Sequence, residues 1–199
     1  MKASRVGFLA VVVMVAAACV AGAFAADGGS RDEDRKLLRA LMAEAEAGLN
    51  AQSIERFTAL MSEDVTVTWL NAEVSRGKAE VKAYYQRMVG GPGTILKKYV
   101  TKVSLGKPAR FYGDIAIADG KAADEFYPYA RGEFRLASNW SSTMAKIDGQ
   151  WKIVALHLSS NVFTNPLLAE AEHMVYYAAG GGLLAGLVLM FLILRLRRR

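Results

Sequence analysis

Along the chain, stretches with apolar residues every three to four positions give way to stretches with apolar residues at every second position. Leu37, Leu38, Leu41, Met42, Ala45 and Leu49 recur at helical spacing, so the first predicted element is an amphipathic helix. Ser30-Arg31-Asp32-Glu33 precedes it with the serine-to-glutamate spacing of a capping box. A second, shorter helix fits Ser53 to Met61, with Ile54, Phe57, Leu60 and Met61 on one side. Val65-Thr66-Val67-Thr68-Trp69 alternates and is β-branched, which marks a strand. Gly77 to Val89 returns to the helical period through Val81, Tyr84, Tyr85 and Met88, and Gly90-Gly91-Pro92-Gly93 ends it.

After Gly93 the period is two. Lys97 to Leu105 places Tyr99, Thr101, Val103 and Leu105 on one face. Asp119-Gly120 and Asp148-Gly149 each separate strand-like runs and are expected as two-residue hairpin turns. Trp151 to Phe163 alternates Trp151, Ile153, Ala155, His157 and Ser159 against Lys152, Val154, Leu156 and Leu158. Apolar residues on both faces predict a central strand. Helices followed by an antiparallel meander predict an α+β domain, its helices on one face of a curved sheet.

Two apolar runs flank this domain. Lys2 and Arg5 open the first, and Ala23-Phe24-Ala25 closes it with the small-x-small pattern of a cleavage site. Residues 1–25 are therefore expected to be a signal peptide cut after Ala25; the alternatives are an uncleaved anchor or a lipoprotein signal lipidated at Cys19. The second run, Met174 to Leu194, carries no charge and has the length of a transmembrane helix. Arg195, Arg197, Arg198 and Arg199 follow, which assigns 195–199 to the cytoplasm. Within the run, Gly180-Gly181-Gly182, Ala185 and Gly186 suit either a close helix contact or glycines simply tolerated in lipid. The glycine–apolar–arginine ending also resembles C-terminal sorting signals whose tails are removed. The expected organisation is a domain over 26–166, a linker over 167–173 and a span over 174–194, in a bacterial envelope protein with its domain periplasmic or extracellular.

This layout changes the meaning of the net charge of +6. Six of the 25 basic residues are Lys2, Arg5 and the four C-terminal arginines, and the other 19 equal the 19 acidic residues. The basic excess is topological, and no nucleic-acid partner is expected. Lys97, Lys98, Lys102, Lys107 and Arg110 read as a solvated strand face or one turned to anionic headgroups. Cys19 is the single cysteine, so the domain has no disulfide and no thiol nucleophile. With two histidines, one at the membrane boundary, no metal site is expected, and no cofactor is implied.

The order of elements resembles the nuclear transport factor 2-like superfamily, in particular its SnoaL-like branch. The resemblance covers about Asp32 to Pro166 and rests on three short pieces: Glu63-Asp64-Val65 entering the first strand, Arg76-Gly77-Lys78 opening the third helix, and the closing Asp148-Gly149-Gln150-Trp151 with His157-Leu158-Ser159. It implies a cone-shaped curved sheet around a pocket, often in a homodimer. The family includes steroid isomerases, polyketide cyclases, dehydratases, ligand binders and assembly domains, and fold does not choose among them. Steroid isomerases of this superfamily use a carboxylate base and a protonated oxyanion carboxyl. By resemblance those positions fall at Trp69 and Ser142, which argues against that activity here.

Ligand-lining residues are expected at Trp69, Tyr84, Tyr99, Tyr112, Trp140, Ser142, His157 and Ser159, for a small lipophilic molecule. His157 is the candidate acid or base, with a core histidine as the alternative. Asp124 and Glu125 read either as acids or, in preference, as solvated hairpin charges. The readings kept open are a ligand-binding domain, a lyase or isomerase using His157, and a dimerising assembly module.

Overall fold

The computed structural model describes residues 31–163 and 166–197. The expected signal peptide, the capping Ser30 and the last two arginines lie outside these. Helix α1 covers residues 31–50. Helix α2 (Ile54–Ala59) starts at Ser53, whose Oγ accepts the Arg56 N–H at 3.4 Å. Met61, expected at its end, opens strand β1 (Met61–Thr68) instead. Strand β2 (Val74–Arg76) leads into helix α3 (Gly77–Met88). Strands β3 (Leu96–Leu105), β4 (Arg110–Tyr112), β5 (Ile115–Pro128), β6 (Phe134–Ile147) and β7 (Gln150–Ser160) complete the domain.

The seven strands form one curved sheet in the order β2-β1-β7-β6-β5-β3, with β4 beside β5. Strand β7 is central, as its two apolar faces require. The sheet is mixed, not purely antiparallel: β1 and β7 run parallel, with Thr66 beside Ala155 and Thr68 beside His157. No tight turn joins these strands, and the intervening chain from β2 to β6 supplies the long crossover a parallel pair needs. On the sheet's edge, α1 occupies the free backbone of β3. Asn50 donates to the Thr101 carbonyl at 2.9 Å and accepts its N–H at 2.8 Å, while Glu46 accepts the Val103 N–H at 2.8 Å. These contacts satisfy an edge that would otherwise invite another strand.

The two Asp-Gly pairs differ. Asp148 and Gly149 have φ of +50° and +78° and form the tight turn between β6 and β7. Asp119 and Gly120 lie inside β5 and make no turn. Gly120 is there for space: a Cβ would stand 1.9 Å from the Ser104 carbonyl oxygen and 2.8 Å from the Trp140 ring. The absent side chain lets the indole lie flat across the strand.

A bulge in β7 alters what the sequence pattern implies. Ile153 pairs with Met144 and Ala155 with Thr143, leaving Val154 without an opposite residue. One extra residue reverses the side-chain phase beyond it. Trp151 and Ile153 are buried before the bulge; after it Leu156 and Leu158 point inward and His157 is exposed.

Helix α4 (Pro166–Leu196) runs unbroken, so the expected linker over 167–173 is its first turns. The most apolar stretch of Leu167–Leu196 has a mean hydropathy of 2.1, and none of it is buried. It is long and apolar enough to cross a membrane.

Candidate functional site

Between the helices and the concave face of the sheet lies a cavity of about 710 Å³. Leu41, Met42 and Leu49 of α1 form one side, and Tyr84, Tyr85 and Met88 of α3 another. The sheet supplies Tyr99, Phe126, Phe134, Leu136, Trp140, Met144, Leu156 and Leu158. Tyr99, Phe126 and Phe134 make a continuous aromatic wall, with centroids 5.2 Å apart for the first pair and 4.8 Å for the second.

Four polar groups interrupt this lining at one place. Asp124 is 2% exposed, and its Oδ1 accepts the Tyr99 hydroxyl at 2.6 Å and the Thr101 hydroxyl at 2.7 Å. Its Oδ2 accepts the Ser138 hydroxyl at 2.5 Å. The cluster spans β3, β5 and β6, three adjacent strands. A carboxylate offers about four acceptor positions, so three bonds leave room for one further donor. Burial raises the Tyr99 pKa well above the usual phenol value, and the neighbouring Asp124 raises it further. Tyr99 therefore stays a neutral donor at physiological pH. A second polar point is Tyr85, whose buried hydroxyl has no hydrogen-bond partner among the described residues although the side chain lines the cavity.

Trp69 stacks on Tyr84 with centroids 4.1 Å apart and 9° between planes, and its N–H donates to Ser75 Oγ at 2.9 Å. Burial, reinforced by Glu73, pushes the Tyr84 pKa up to about 12. Ser142 Oγ donates to the Ala155 carbonyl at 3.0 Å, next to the β7 bulge, and Trp140 donates to the Lys121 carbonyl at 3.2 Å. Trp69, Tyr84, Tyr99, Trp140 and Ser142 all line the cavity. Trp69 and Ser142 are thus committed to Ser75 and to the Ala155 carbonyl.

Three expected residues lie elsewhere. His157 and Ser159 are on the outer face of the sheet because the Val154 bulge turned them there. Tyr112 is 62% exposed on β4; its neighbour Phe111 faces inward, against Trp151 at 5.9 Å. The sequence pattern did not mark Tyr85, Phe126 or Phe134 as cavity residues, and it marked Asp124 only as one of two candidate acids, with a solvated charge preferred. Among the described residues no three His, Cys, Asp or Glu side chains gather as metal ligands.

Comparison with solved structures returns the same architecture. A candidate scytalone dehydratase from Novosphingobium aromaticivorans superposes with a TM-score of 0.56 at 20% identity, over 65% of this chain and 85% of that one. Hexachlorocyclohexane dehydrochlorinase LinA-type3 from Novosphingobium barchaimii gives 0.58 at 15% identity, over 68% and 91%. A nuclear transport factor 2-like superfamily protein from Salmonella enterica serovar Typhimurium gives 0.54 at 19%, over 65% and 92%. At such identities the likeness concerns fold alone. No curated protein matches the sequence. The SnoaL-like domain family matches residues 38–163, most of the chain and nearly all of the cavity-bearing domain, and the chain belongs to that family.

Proposed function

We propose that the domain binds one small lipophilic molecule carrying a hydrogen-bond donor, and that α4 holds it at a membrane. The carrying observation is an apolar cavity of about 710 Å³ with a buried carboxylate at one point of its wall. That volume lies within the range of small-molecule sites, about 300–1,000 Å³, which are mostly apolar with a few fixed polar groups. Asp124 takes the ligand's donor at its remaining acceptor position, while Tyr85 offers a second bond. The span carries Arg195 and Arg197 at its end, which favours a cytoplasmic C-terminus and a domain on the other side of a bacterial envelope. His157 has no part in this site, so the reading gives it no acid–base role.

Trp69 and Trp140 line the cavity and Trp151 does not, which provides an optical test. A brominated long-chain alcohol added to the segment 31–163 should quench part of the tryptophan emission and saturate. Ala118→Phe, which fills the cavity from β5, should abolish the quenching. Quenching that never saturates, or is unchanged in Ala118→Phe, counts against the reading.

A second reading concerns self-association. The outer face of the sheet carries small and polar residues that are exposed, among them Ala137, Asn139, Ser141 and His157. An exposed face with small and polar residues at its centre suits a homodimer. Sedimentation of the segment with and without Asn139→Arg tests it: a dimer that becomes a monomer supports the reading, and a monomer throughout removes it.

A further inference from the structure

The cavity has a mouth beside the start of the membrane helix. Ile95 and Tyr129 line the cavity and are still 57% and 54% exposed, and Arg131 lines it as well. Leu167, the first residue of the apolar helix segment, is part of the same wall. Arg131 ties the loop between β5 and β6 to that helix through Glu170, at 3.4 Å. A transmembrane helix and a cavity entrance therefore share a residue.

The surroundings of the mouth have the chemistry of a bilayer interface. Phe163 is 83% exposed and Val162 68%, three and four residues before the helix begins. Three cations lie over aromatic rings at this end: Lys97 over Tyr129 at 5.3 Å, Lys98 over Tyr127 at 5.6 Å and Arg131 over Phe134 at 4.4 Å. Aromatic rings with long basic side chains beside them anchor proteins at headgroup level, the apolar stems down and the charges toward phosphate. Height agrees. If the hydrocarbon span is 174–194, the seven helical residues before it raise Leu167 by about 10 Å, and the headgroup layer itself is about 6 Å deep. The mouth stands at the membrane surface.

We propose that this face rests on anionic headgroups and that the cavity is loaded from the bilayer, its ligand being a membrane-resident amphiphile that enters past Ile95, Tyr129 and Leu167. This rests on the ligand-binding reading above and adds the ligand's source and route. A molecule dissolved in lipid then reaches Asp124 without crossing bulk water, and its polar end, which lies nearest the surface, enters first.

The test uses the full chain reconstituted in phosphatidylcholine–phosphatidylglycerol vesicles, with two diazirine photoprobes: a long-chain alcohol dissolved in the membrane and a short-chain, water-soluble one. Tryptic mapping reads labelling of β3 and β6. The expected result is cavity labelling by both probes in the native chain and by neither in Ala118→Phe. In Val162→Asp/Phe163→Asp, membrane-probe labelling should slow by about tenfold, the effect of losing these apolar contacts with the interface, while aqueous-probe labelling stays. Both substitutions replace exposed side chains, and the aqueous probe reports that the cavity survives them. Membrane-probe labelling that is undiminished in the double variant overturns the route while leaving the binding site in place. Absence of cavity labelling by either probe in the native chain overturns both readings. As an independent check, a spin label at Phe163→Cys, in a Cys19→Ser background, should collide with lipid-soluble oxygen more than with an aqueous nickel chelate; the reverse order overturns the proposed docking.

Discussion

Tyr99 on β3 donates its hydroxyl to Asp124 on β5 across 2.6 Å, deep in an otherwise apolar cavity. The pair joins neighbouring strands diagonally, since Thr101 is the residue opposite Asp124. Removing one end should therefore affect the other. Asp124→Ala leaves three hydroxyls without an acceptor, and a buried unsatisfied group costs about 1–3 kcal/mol. We expect Asp124→Ala to lower domain stability by about 3 kcal/mol and Tyr99→Phe by about 1 kcal/mol, measured by urea unfolding followed through tryptophan emission. Equal losses for the two would show that the carboxylate is not the centre of the cluster.

The same burial makes the domain sensitive to alkali. The Tyr84 pKa is about 12 and that of Tyr99 is also raised, whereas an unfolded phenol titrates near 10. A folded-state pKa above the unfolded one gives stability that is complete below the unfolded value and lost as pH rises through the folded value. Stability should be flat to about pH 10 and then fall toward pH 12, and absorbance near 295 nm should show Tyr84 and Tyr99 among the late-titrating tyrosines, with Tyr85 and Tyr127 also shifted upward. Loss of the steep fall in Tyr84→Phe/Tyr99→Phe checks the assignment.

At the acid end the responsible group is Asp34, on α1. It is 3% exposed, and it accepts from Lys146 Nζ at 2.9 Å and Trp151 Nε1 at 2.8 Å. Burial alone raises its pKa, but the bonds from Lys146 and Trp151 and the charges of Lys146 and Arg31 outweigh it, and the net pKa is lowered. The stabilisation is present above about pH 4 and lost as pH falls through the lowered value. Asp34→Asn should cost about 2 kcal/mol at neutral pH and flatten the acid limb of the stability profile.

Gly120 supports the aromatic packing by having no side chain. Gly120→Ala must move either the Ser104 backbone or the Trp140 ring. Overpacking of this kind costs about 1–3 kcal/mol, and Gly120→Ala should also shift the Trp140 emission. Ala123→Gly, on the exposed face of the same strand, serves as the control for backbone flexibility.

Much of the fold was legible because its cues were strong. The α1 and α3 periodicities, the Asp148-Gly149 turn and the doubly apolar β7 all depend on large side chains or a turn residue at a defined place. The cavity was less legible for two physical reasons. On β5 the inward positions are Ala116, Ala118, Gly120, Ala122 and Asp124, an alternation written in small residues that carries almost no hydrophobic signal. Read as a strand of period two, that run would have pointed Asp124 inward; read as a hairpin at Asp119-Gly120, it sent Asp124 to solvent. On β7 the Val154 bulge left no mark in the sequence, and it moved His157 and Ser159 from the inner face to the outer. Small residues hid the site, and one extra residue displaced the expected one.

The central claim is that the cavity holds a lipophilic ligand. The most direct measurement is mass spectrometry of small molecules extracted from the full chain, isolated with its surrounding lipid in polymer discs, with Ala118→Phe prepared in parallel. Annular lipids are common to both preparations. One molecule enriched near one per chain in the native protein and absent from Ala118→Phe is the result expected here. Identical extracts from the two proteins would contradict it.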